Sequence, residues 1–555
     1  MEKRIIIAFV LSFAVLYGFR LIFPPPEEPA APVTTTTEAP TSPDAPASQP
    51  AGPAAAEGTT APEAPVGEIQ AETEQNLVVD TPLYTATVSN TGGVLTSYTL
   101  KAYSDGEGRP LQLINQAAGQ KLGWPLVLET ADTELNEMLA KARFMARQED
   151  DRILLEFAGG GVHARKTLEF KRDNFEFTFE SSLTRDGKDV KHSVVWQGHF
   201  GDQSLPPDPV TLGVLYEAEA AFTRVAASSV TDPLTFTTTR AGIEDLYFLA
   251  VFLFDSPTPA KSIKQEFPAE ETGSDPHPAL HVSADMSADK PIRVFVGPKD
   301  QEFLAKADPL LPSVINYGWF EVVARPLLFA LLWVHSYVGN FGWAIIILTI
   351  VLNMAMFPLR LKQQVAMLKM GKIQPQMRTL QDRYKKLKAN DPRRAEVQSE
   401  MMGLYKQHGV NPLGGCLPLL LQMPVLIGLY SMLSVSIELR RAPWIAWIDD
   451  LSRPEMLLIP VLPILMTVSM IIMQKMTPTT VDPAQAKMMM IMPVMFLFMF
   501  WRAQSGLTLY WLTGNVIGIA QQVFINKYWS PRTEAKLETR PKSKEPSKQP
   551  REKTK

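Results

Sequence analysis

Polar side chains recur at helical spacing inside a strongly apolar part of the chain. In SGLTLYWLTGNVIGIAQQ, residues 505–522, Thr508, Asn515 and Gln522 follow one another at steps of seven, which places them on one face of an α-helix. Polar groups inside hydrocarbon need a hydrogen-bonding partner or water. This face is therefore expected either to bind neighbouring helices or to border water.

The same arrangement recurs in three other apolar segments. Arg360 is its most informative member, because a charged side chain at the centre of a membrane helix costs about 2.5 to 3.5 kcal/mol on insertion scales. It follows the last apolar turn of its segment, so it can extend to the lipid headgroups, enter water or bind an anion. The recurring residues are Thr349, Asn353 and Arg360 at steps of four and seven, Thr467 and Gln474 seven apart, and Gln422 near the start of its run.

The sequence lacks the residue patterns of catalysis and metal binding. It has no GxxxxGK[ST] phosphate loop, no HExxH motif and one cysteine, Cys416. The seven histidines are scattered, and Asp and Glu are missing from the interiors of the apolar segments after residue 337. We therefore predict a protein that is not an enzyme and that uses no cofactor or metal.

Apolar residues are concentrated in six segments, although the bulk composition, with 46% hydrophobic residues and a net charge of -4, is ordinary. Each segment has about the length needed to cross a hydrocarbon core of roughly 30 Å, the fifth being short. Basic residues cluster between the second and third segments and after the last, which places both regions and both termini in the cytoplasm. The predicted spans are 5–23, 337–358, 417–436, 456–476, 488–501 and 507–526.

The residues before the second span divide into four parts. Residues 1–23 are predicted to be an uncleaved membrane anchor, and residues 24–76, rich in Pro, Ala and Thr, a disordered linker. Period-two alternation predicts a large β domain over 77–316. Residues 317–336 are predicted to be an amphipathic helix in the membrane interface, because another crossing there would move the basic loop to the outside.

The two basic regions differ in their expected structure. Residues 362–410 carry apolar side chains at alternating steps of four and three, interrupted by NDPRR, which predicts an antiparallel helical hairpin. Residues 527–555 form a basic tail. We predict that the tail helps to bind ribosomes through RNA phosphates, although attraction to anionic lipid would use the same charges.

Several long motifs resemble those of the YidC membrane protein insertases of the Gram-negative, six-span type. They are NPLGGCLPLLLQMPVLIGLY, ELRRAPWIAWIDDLS, QKMTPTTVDPAQAKMM and QSGLTLYWLTGN, with NTGG and GIEDLYF in the β region. The resemblance covers the whole chain. It implies an α-helical polytopic membrane protein with six spans, a five-helix core over residues 337–526, a periplasmic all-β supersandwich domain and a cytoplasmic helical hairpin.

The resemblance also implies a function and partners. Such proteins insert nascent inner-membrane proteins and help them fold through a hydrophilic groove, alone or with the Sec translocon, without nucleotide hydrolysis. The expected location is the bacterial inner membrane, with the large domain in the periplasm. The expected partners are nascent membrane proteins, the lipid bilayer, the Sec translocon, the ribosome and the signal recognition particle pathway, and DNA is not among them.

Residues expected to contact substrate come from the polar faces and from the resemblance. The family usually has an arginine at the position of Asn353, so Arg360, seven residues later on the same face, is the nearest substitute. Met423, Leu426, Tyr510 and Trp511 match family contact positions. The complete predicted groove is Thr349, Asn353, Arg360, Gln422, Met423, Leu426, Thr467, Met470, Gln474, Thr508, Tyr510, Trp511, Asn515 and Gln522, and the predicted docking residues are Lys385, Lys386, Lys388, Arg393, Arg394, Lys527, Arg532 and Lys536.

Two alternatives belong to other function classes. A small-solute transporter would be expected to show inverted repeats and ionisable residues near the membrane midplane, and the sequence has neither. A carbohydrate-handling enzyme in the β domain would be distinguished by sugar binding to residues 77–311.

Overall fold

The computed structural model describes residues 68–203, 211–267, 277–286, 290–388, 391–408, 417–476 and 483–529. The predicted anchor, residues 24–67 of the predicted linker, and the tail from residue 530, with Arg532 and Lys536, lie outside these residues. The chain divides into two compact units, which meet in sequence between Val314 and Ile315.

The first unit consists mainly of antiparallel strands. Strands β1 to β4 form one sheet in sequence order, and the remaining strands form a second, larger sheet. The strands are β1 Asn76–Asp80, β2 Tyr84–Ser89, β3 Val94–Ser104, β4 Pro110–Gln112, β5 Val127–Glu129, β6 Met145–Glu149, β7 Arg152–Gly159, β8 Val162–Phe170, β9 Glu176–Arg185, β10 Lys188–Asp189, β11 Ser193–Gly198, β12 Gly213–Ala218, β13 Ala221–Ala226, β14 Leu234–Glu244, β15 Phe248–Phe267, β16 His277–Asp285 and β17 Ile292–Pro298.

The long strand β15 organises the larger sheet. It pairs with β14 over most of its length, with β17 along its first part and with β16 along its last part. Three short helices accompany the strands. Each has an N-cap residue whose side chain accepts backbone N–H groups from the first turn, and these residues are Asn115, Asp132 and Asp300. These helices are α1 Gln116–Leu122, α2 Thr133–Lys141 and α3 Gln301–Ala307.

Aromatic side chains join the two sheets. The rings of Tyr84 and Tyr98, both from the small sheet, stack with centroids 4.6 Å apart. The Tyr84 ring lies 6.1 Å from the ring of Phe175, which directly precedes β9 of the larger sheet. All three side chains are buried. The β-rich domain predicted from alternating hydrophobicity is therefore present, with its core between two antiparallel sheets.

A buried lysine holds the NTGG turn, residues 90–93, between β2 and β3. Gly92 and Gly93 have φ angles of 71° and 58°, a left-handed conformation that favours glycine. Lys166, which is 1% exposed, donates hydrogen bonds to the carbonyl oxygens of Gly92, Gly93 and Leu126 at 2.7, 2.9 and 2.9 Å. Burial lowers the pKa of the Lys166 amine to about 7.

The second unit is helical. Two of its helical segments, Gly318–Val338 and Phe341–Lys386, are long and apolar enough to cross a membrane, and three shorter apolar helices, Gln422–Val435, Val461–Met476 and Met490–Phe500, occur among the described residues. The helices are α4 Glu321–Val338, α5 Phe341–Lys386, α6 Arg393–Gln407, α7 Leu417–Val435, α8 Val461–Met476, α9 Pro483–Phe500 and α10 Ser505–Phe524, which a π-helical turn, Ile525–Trp529, extends.

Helix α5 joins two segments that the sequence analysis treated separately. It runs for 46 residues through both the second predicted span and the first arm of the predicted hairpin, and it contains Pro358 and Pro375. The Asn340 side chain caps its start by accepting from two backbone N–H groups. Helix α6 lies against its second half, where the Arg394 guanidinium stacks 4.4 Å above the ring of Tyr384.

Helix α8 begins later than its predicted span. Residues 456–460 are not helical, and the Glu455 carboxylate accepts from the first backbone N–H groups of the helix, including Leu462 N–H at 2.9 Å. Pro460 fits this boundary, since proline disfavours helical geometry in the residue before it.

Candidate functional site

A cavity of about 360 Å³ lies among α5, α7, α8 and α10. Amide side chains, methionines and one arginine form much of its wall. Nine of the fourteen predicted groove residues line it, from α5, α7 and α10. They are Asn353, Arg360, Gln422, Met423, Leu426, Tyr510, Trp511, Asn515 and Gln522.

The other five predicted residues do not line this cavity. Thr349, Thr467 and Thr508 are buried, and each hydroxyl donates to the backbone carbonyl oxygen four residues earlier in the chain, at 2.6, 2.8 and 3.1 Å. A threonine can thus satisfy its hydroxyl without water or a second helix. Met470 and Gln474 lie on α8, also outside the wall of the cavity.

Among the described residues, Arg360 is the only charged residue in the cavity wall, and neutral amides hold it. Its Nη1 donates to Oε1 of Gln521 at 2.9 Å, and its Nη2 donates to Oδ1 of Asn353 at 3.0 Å. Seven residues correspond to about 10 Å along a helix, so the side chain turns back toward the start of α5. Within the described part of the chain, no carboxylate lies within 4 Å of its guanidinium nitrogens.

The two amides that hold Arg360 are themselves oriented by backbone carbonyls. Asn353 Nδ2 donates to the carbonyl oxygen of Thr349 at 2.8 Å, and Gln521 Nε2 donates to the carbonyl oxygen of Asn353 at 3.3 Å. Both amide oxygens are therefore left to accept from the guanidinium. Gly518 lies beside it, and a Cβ atom added there would be 3.0 Å from Arg360 Nη1.

Hydrogen bonds across the cavity connect α10 to two other helices. Asn515 Nδ2 donates to Ser469 Oγ of α8 at 2.9 Å, and Asn515 is 5% exposed. Gln422 Nε2 of α7 donates to the hydroxyl oxygen of Tyr510. Asn515 therefore borders the cavity and also donates a hydrogen bond to a neighbouring helix. The sequence predicted one or the other of these two roles for the polar face of α10.

Sequence reasoning missed half of the cavity wall. Two pairs of adjacent glutamines, residues 363–364 and 521–522, line the cavity. Adjacent residues point about 100° apart around a helix, so a prediction based on one helical face includes only one glutamine of each pair. Gln364 is 4% exposed, and its Nε2 has no acceptor among the described residues. The paired glutamines in apolar segments were the available signal. The missed residues are Met356, Gln363, Gln364, Met367, Met473, Gly514, Gly518, Gln521 and Ile525.

The predicted docking residues that the structure describes lie at helix ends. Lys385 and Lys386 end α5, Lys388 follows, and Arg393 and Arg394 begin α6. Arg393 pairs with Asp391 at 2.8 Å. These five basic residues are close in sequence, and all except Arg394, which stacks on Tyr384, are exposed. Lys527 lies apart from them, in the π-helical turn, and is also exposed.

The cavity can bind polar groups. The polar side chains that the described residues place in its wall are amides, the Tyr510 hydroxyl, the Trp511 indole and the Arg360 cation, with no acid or histidine among them. Among the described residues there is no group of three or more His, Cys, Asp or Glu side chains that could hold a metal ion. A β-rich unit followed by a unit with apolar helices long enough to cross a membrane is the domain order of integral membrane proteins that carry a large β domain.

Comparison with known proteins makes the assignment specific. The family described as the 60Kd inner membrane protein matches residues 333–532, and the YidC periplasmic domain matches residues 76–330. Membrane protein insertase YidC of Geotalea daltonii is 36% identical over 551 residues, which cover 95% of this chain and 99% of the relative. Its counterpart in Pelobacter propionicus is also 36% identical, over 582 residues with the same coverage. This chain belongs to the YidC family of membrane protein insertases.

A solved structure of an active YidC insertase, with its first transmembrane domain resolved, is 19% identical and covers 84% of this chain and 94% of its own, at a TM-score of 0.36. A TM-score this low adds nothing to the assignment, which follows from the family and the relatives.

The family assignment confirms three predictions. The protein is an integral membrane insertase that acts on nascent membrane proteins in the lipid bilayer, and its β-rich domain is the periplasmic domain of the family. Insertases of this family are not enzymes, so the predicted absence of enzymatic activity is confirmed as well.

Proposed function

We propose that the cavity among α5, α7, α8 and α10 is the groove that receives the polar flank of a nascent membrane segment. The observation that carries this proposal is Arg360, a cation inside the apolar unit with only neutral amides as partners. Its guanidinium has five N–H donors, of which two are used in these hydrogen bonds. A carboxylate on the incoming flank would supply the missing counter-charge.

The wall of the groove suits a substrate with one polar and one apolar part. Amides offer donors and acceptors to a hydrated flank, while Met356, Met367 and Met423 offer flexible apolar contacts to a helix. Burial of the apolar helix in lipid supplies the free energy, at about 25 cal/mol for each Å² removed from water. The groove lowers the barrier, because polar groups would otherwise cross dry hydrocarbon.

Loss of the groove charge should impair insertion of substrates with an acidic flank. Arg360→Gln keeps hydrogen-bonding capacity but removes the charge, and we expect about tenfold less insertion, equivalent to about 1.4 kcal/mol. Adding Asn353→Arg to this variant should restore part of the activity, because the Arg360 guanidinium reaches the Asn353 side chain. The measurement is insertion of a short, singly spanning substrate into liposomes containing the purified protein.

Lys362→Gln is the matched control, since Lys362 lies on the same helix, is exposed and does not line the cavity. It should insert the substrate as well as the parent chain. Wild-type activity of Arg360→Gln on the acidic-flank substrate would reject Arg360 as the groove charge.

The proposal also covers the arrangement in the membrane. The chain crosses the inner membrane of a Gram-negative cell six times and has both termini in the cytoplasm. The cavity opens toward the cytoplasm, and α4 lies in the interface between membrane and water. Two properties of the second unit support this arrangement. Phe329 and Trp333 of α4, and Trp319 just before this helix, are exposed, as expected for aromatic side chains at headgroup depth. The basic residues between α5 and α6 fit a cytoplasmic location by the positive-inside rule.

The proposed partners are the translating ribosome, the signal recognition particle pathway and the Sec translocon. The exposed basic residues at the α5–α6 connection and the basic residues in the sequence of the tail carry the charge needed to bind RNA phosphates. Phosphate binding releases counterions, so ribosome affinity that depends on the tail should fall steeply with salt. A chain ending at Ser530 should bind ribosomes more weakly than the full chain at low salt, measured by co-sedimentation.

Equal ribosome affinity of the full and shortened chains at low salt would contradict docking by the tail. Binding of both chains to vesicles of anionic lipid, measured in parallel, separates ribosome docking from attraction to headgroups.

A further inference from the structure

We propose that Gln521 is the positioning residue of the groove cation: its amide holds the Arg360 guanidinium inside the cavity and thereby sets the preference of the insertase for acidic substrate flanks. This inference rests on the proposed role of Arg360. It adds that the location of the charge depends on a neutral residue of α10.

Gln521 uses both ends of its amide to join α10 to α5. Oε1 accepts from Arg360 Nη1 at 2.9 Å, and Nε2 donates to the carbonyl oxygen of Asn353 at 3.3 Å. Gln521 is 8% exposed, so these hydrogen bonds are shielded from bulk water. Because the backbone carbonyl fixes the amide nitrogen, the amide oxygen is directed to the guanidinium.

Without this contact, the Arg360 side chain has an alternative position. Arg360 follows the last apolar turn of its predicted span. At such positions the charged end of a long basic side chain extends to the lipid headgroups, while its methylene groups stay on apolar surface. In the structure the side chain turns the other way, toward Asn353, seven residues earlier. The hydrogen bonds to Gln521 and Asn353 favour this inward position.

Because Gln521 is neutral, it can hold Arg360 without cancelling its charge. A carboxylate at this position would hold the guanidinium more strongly but would neutralise it, since charge-assisted pairs are stronger than hydrogen bonds to amides. An amide keeps the cation in place and leaves its charge for the substrate. Gly518 contributes by leaving room, because a Cβ atom there would approach Arg360 Nη1 to 3.0 Å.

The test compares two liposome substrates that differ only in having an acidic or a neutral flank. Gln521→Met, similar in size but without the amide, should lower insertion of the acidic-flank substrate about tenfold, as expected for one lost charge-assisted hydrogen bond. Insertion of the neutral-flank substrate should stay unchanged. Gln521→Glu should show the same selective loss, although its side chain still binds Arg360.

Gln376→Met is the matched control, because Gln376 carries the same amide on α5 but is exposed and does not line the cavity. It should change insertion of both substrates equally or not at all. In the double variant Arg360→Gln/Gln521→Met, the loss should equal that of Arg360→Gln alone, since a positioning residue has no effect once the positioned group is gone.

The outcomes separate the two proposals. If Arg360→Gln impairs the acidic-flank substrate while Gln521→Met does not, the positioning role is wrong and the groove charge stands. If neither variant changes flank preference, the role of Arg360 is itself wrong. If Gln521→Met lowers insertion of both substrates equally, or its loss adds to that of Arg360→Gln, then Gln521 only supports helix packing.

Discussion

The buried amine of Lys166 gives the β-rich unit a stability that depends on pH. Its pKa in the folded protein is about 7, compared with an ordinary value of 10.5. Between these values the unfolded chain binds more protons than the folded one, so the free energy of unfolding should rise with pH, by at most about 1.4 kcal/mol per pH unit. Below pH 7 this contribution should be constant, because both states are then protonated.

Urea unfolding of residues 68–314, expressed alone and measured from pH 7 to pH 9, would check this prediction. Lys166→Met should remove the rise, and Lys101→Met, at an exposed pair with Asp80, should keep it. Burial raises the pKa of Tyr84 and Tyr98, which act in the opposite sense but at more alkaline pH. A parent domain whose stability is flat over this interval would contradict the prediction.

At the same scale, side-chain chemistry explains which cavity residues could be predicted. Asn353 and Arg360, predicted from their seven-residue spacing to share a face, both line the cavity and are joined by a hydrogen bond. Thr349 and Thr508 were predicted with them but bind their own backbone, and sequence spacing cannot show this. Gln521 was missed because its neighbour Gln522 fitted the seven-residue step, while the neighbouring helices decide which face borders the cavity.

At the scale of elements, helix α10 has faces with different surroundings. Asn515 and Gln522 line the cavity, Thr508 is buried outside it, and Val516 is 54% exposed on another face. If the cavity holds water, single cysteines at 515 and 522 should react with a membrane-impermeant thiol reagent added from the cytoplasmic side. Cysteines at 508 and 516 should not, because thiol attack requires the thiolate, which does not form in hydrocarbon or in a packed helix interface.

The measurement is gel-shift labelling of inverted and intact vesicles, with Cys416 replaced by serine in every variant. Labelling from the periplasmic side alone would contradict a groove open to the cytoplasm. Equal labelling at 515 and 516 would mean that the face bordering the cavity is no wetter than the outer face of the helix.

Element boundaries were less predictable than element types. Alternating hydrophobicity correctly predicted a β-rich domain, because one face of most strands is buried between sheets. The continuity of α5 was not predicted, because Pro358 and the change from apolar to basic residues both resemble a helix end. The start of α8 depends on the Glu455 carboxylate, which accepts from the N–H groups of Val461 and Leu462, six and seven residues later. This spacing lies outside the usual capping patterns.

At the scale of the whole molecule, the groove residues and the β-rich domain belong to different compact units. Every residue of the cavity wall follows residue 350, whereas the first unit ends at Val314. Deleting residues 77–300 should therefore leave insertion close to that of the full chain, measured with the same substrate in liposomes. Adding Arg360→Gln to the deletion should then reduce insertion as it does in the full chain.

Two tests come first: the deleted chain must reach the membrane, and its helical unit must have the same unfolding temperature as in the full chain. Loss of insertion by a deletion that passes both tests would assign part of the function to the β-rich domain.

The length of α5 has a mechanical consequence. At 1.5 Å per residue its 46 residues span about 70 Å, with Arg360 about 30 Å from its start, near the edge of a hydrocarbon core of similar thickness. Pro358 cannot donate to the carbonyl of Met354, and Pro375 cannot donate to the carbonyl of Gly371, so the hydrogen-bond ladder of the helix is interrupted twice, once just before Arg360. The helix is therefore one continuous element in which a missing backbone hydrogen bond lies directly beside Arg360. We expect a sideways displacement at Lys386 to be passed along this helix, partly through bending at Pro375 and Pro358, to Arg360 and, through the hydrogen bond to Gln521, to α10.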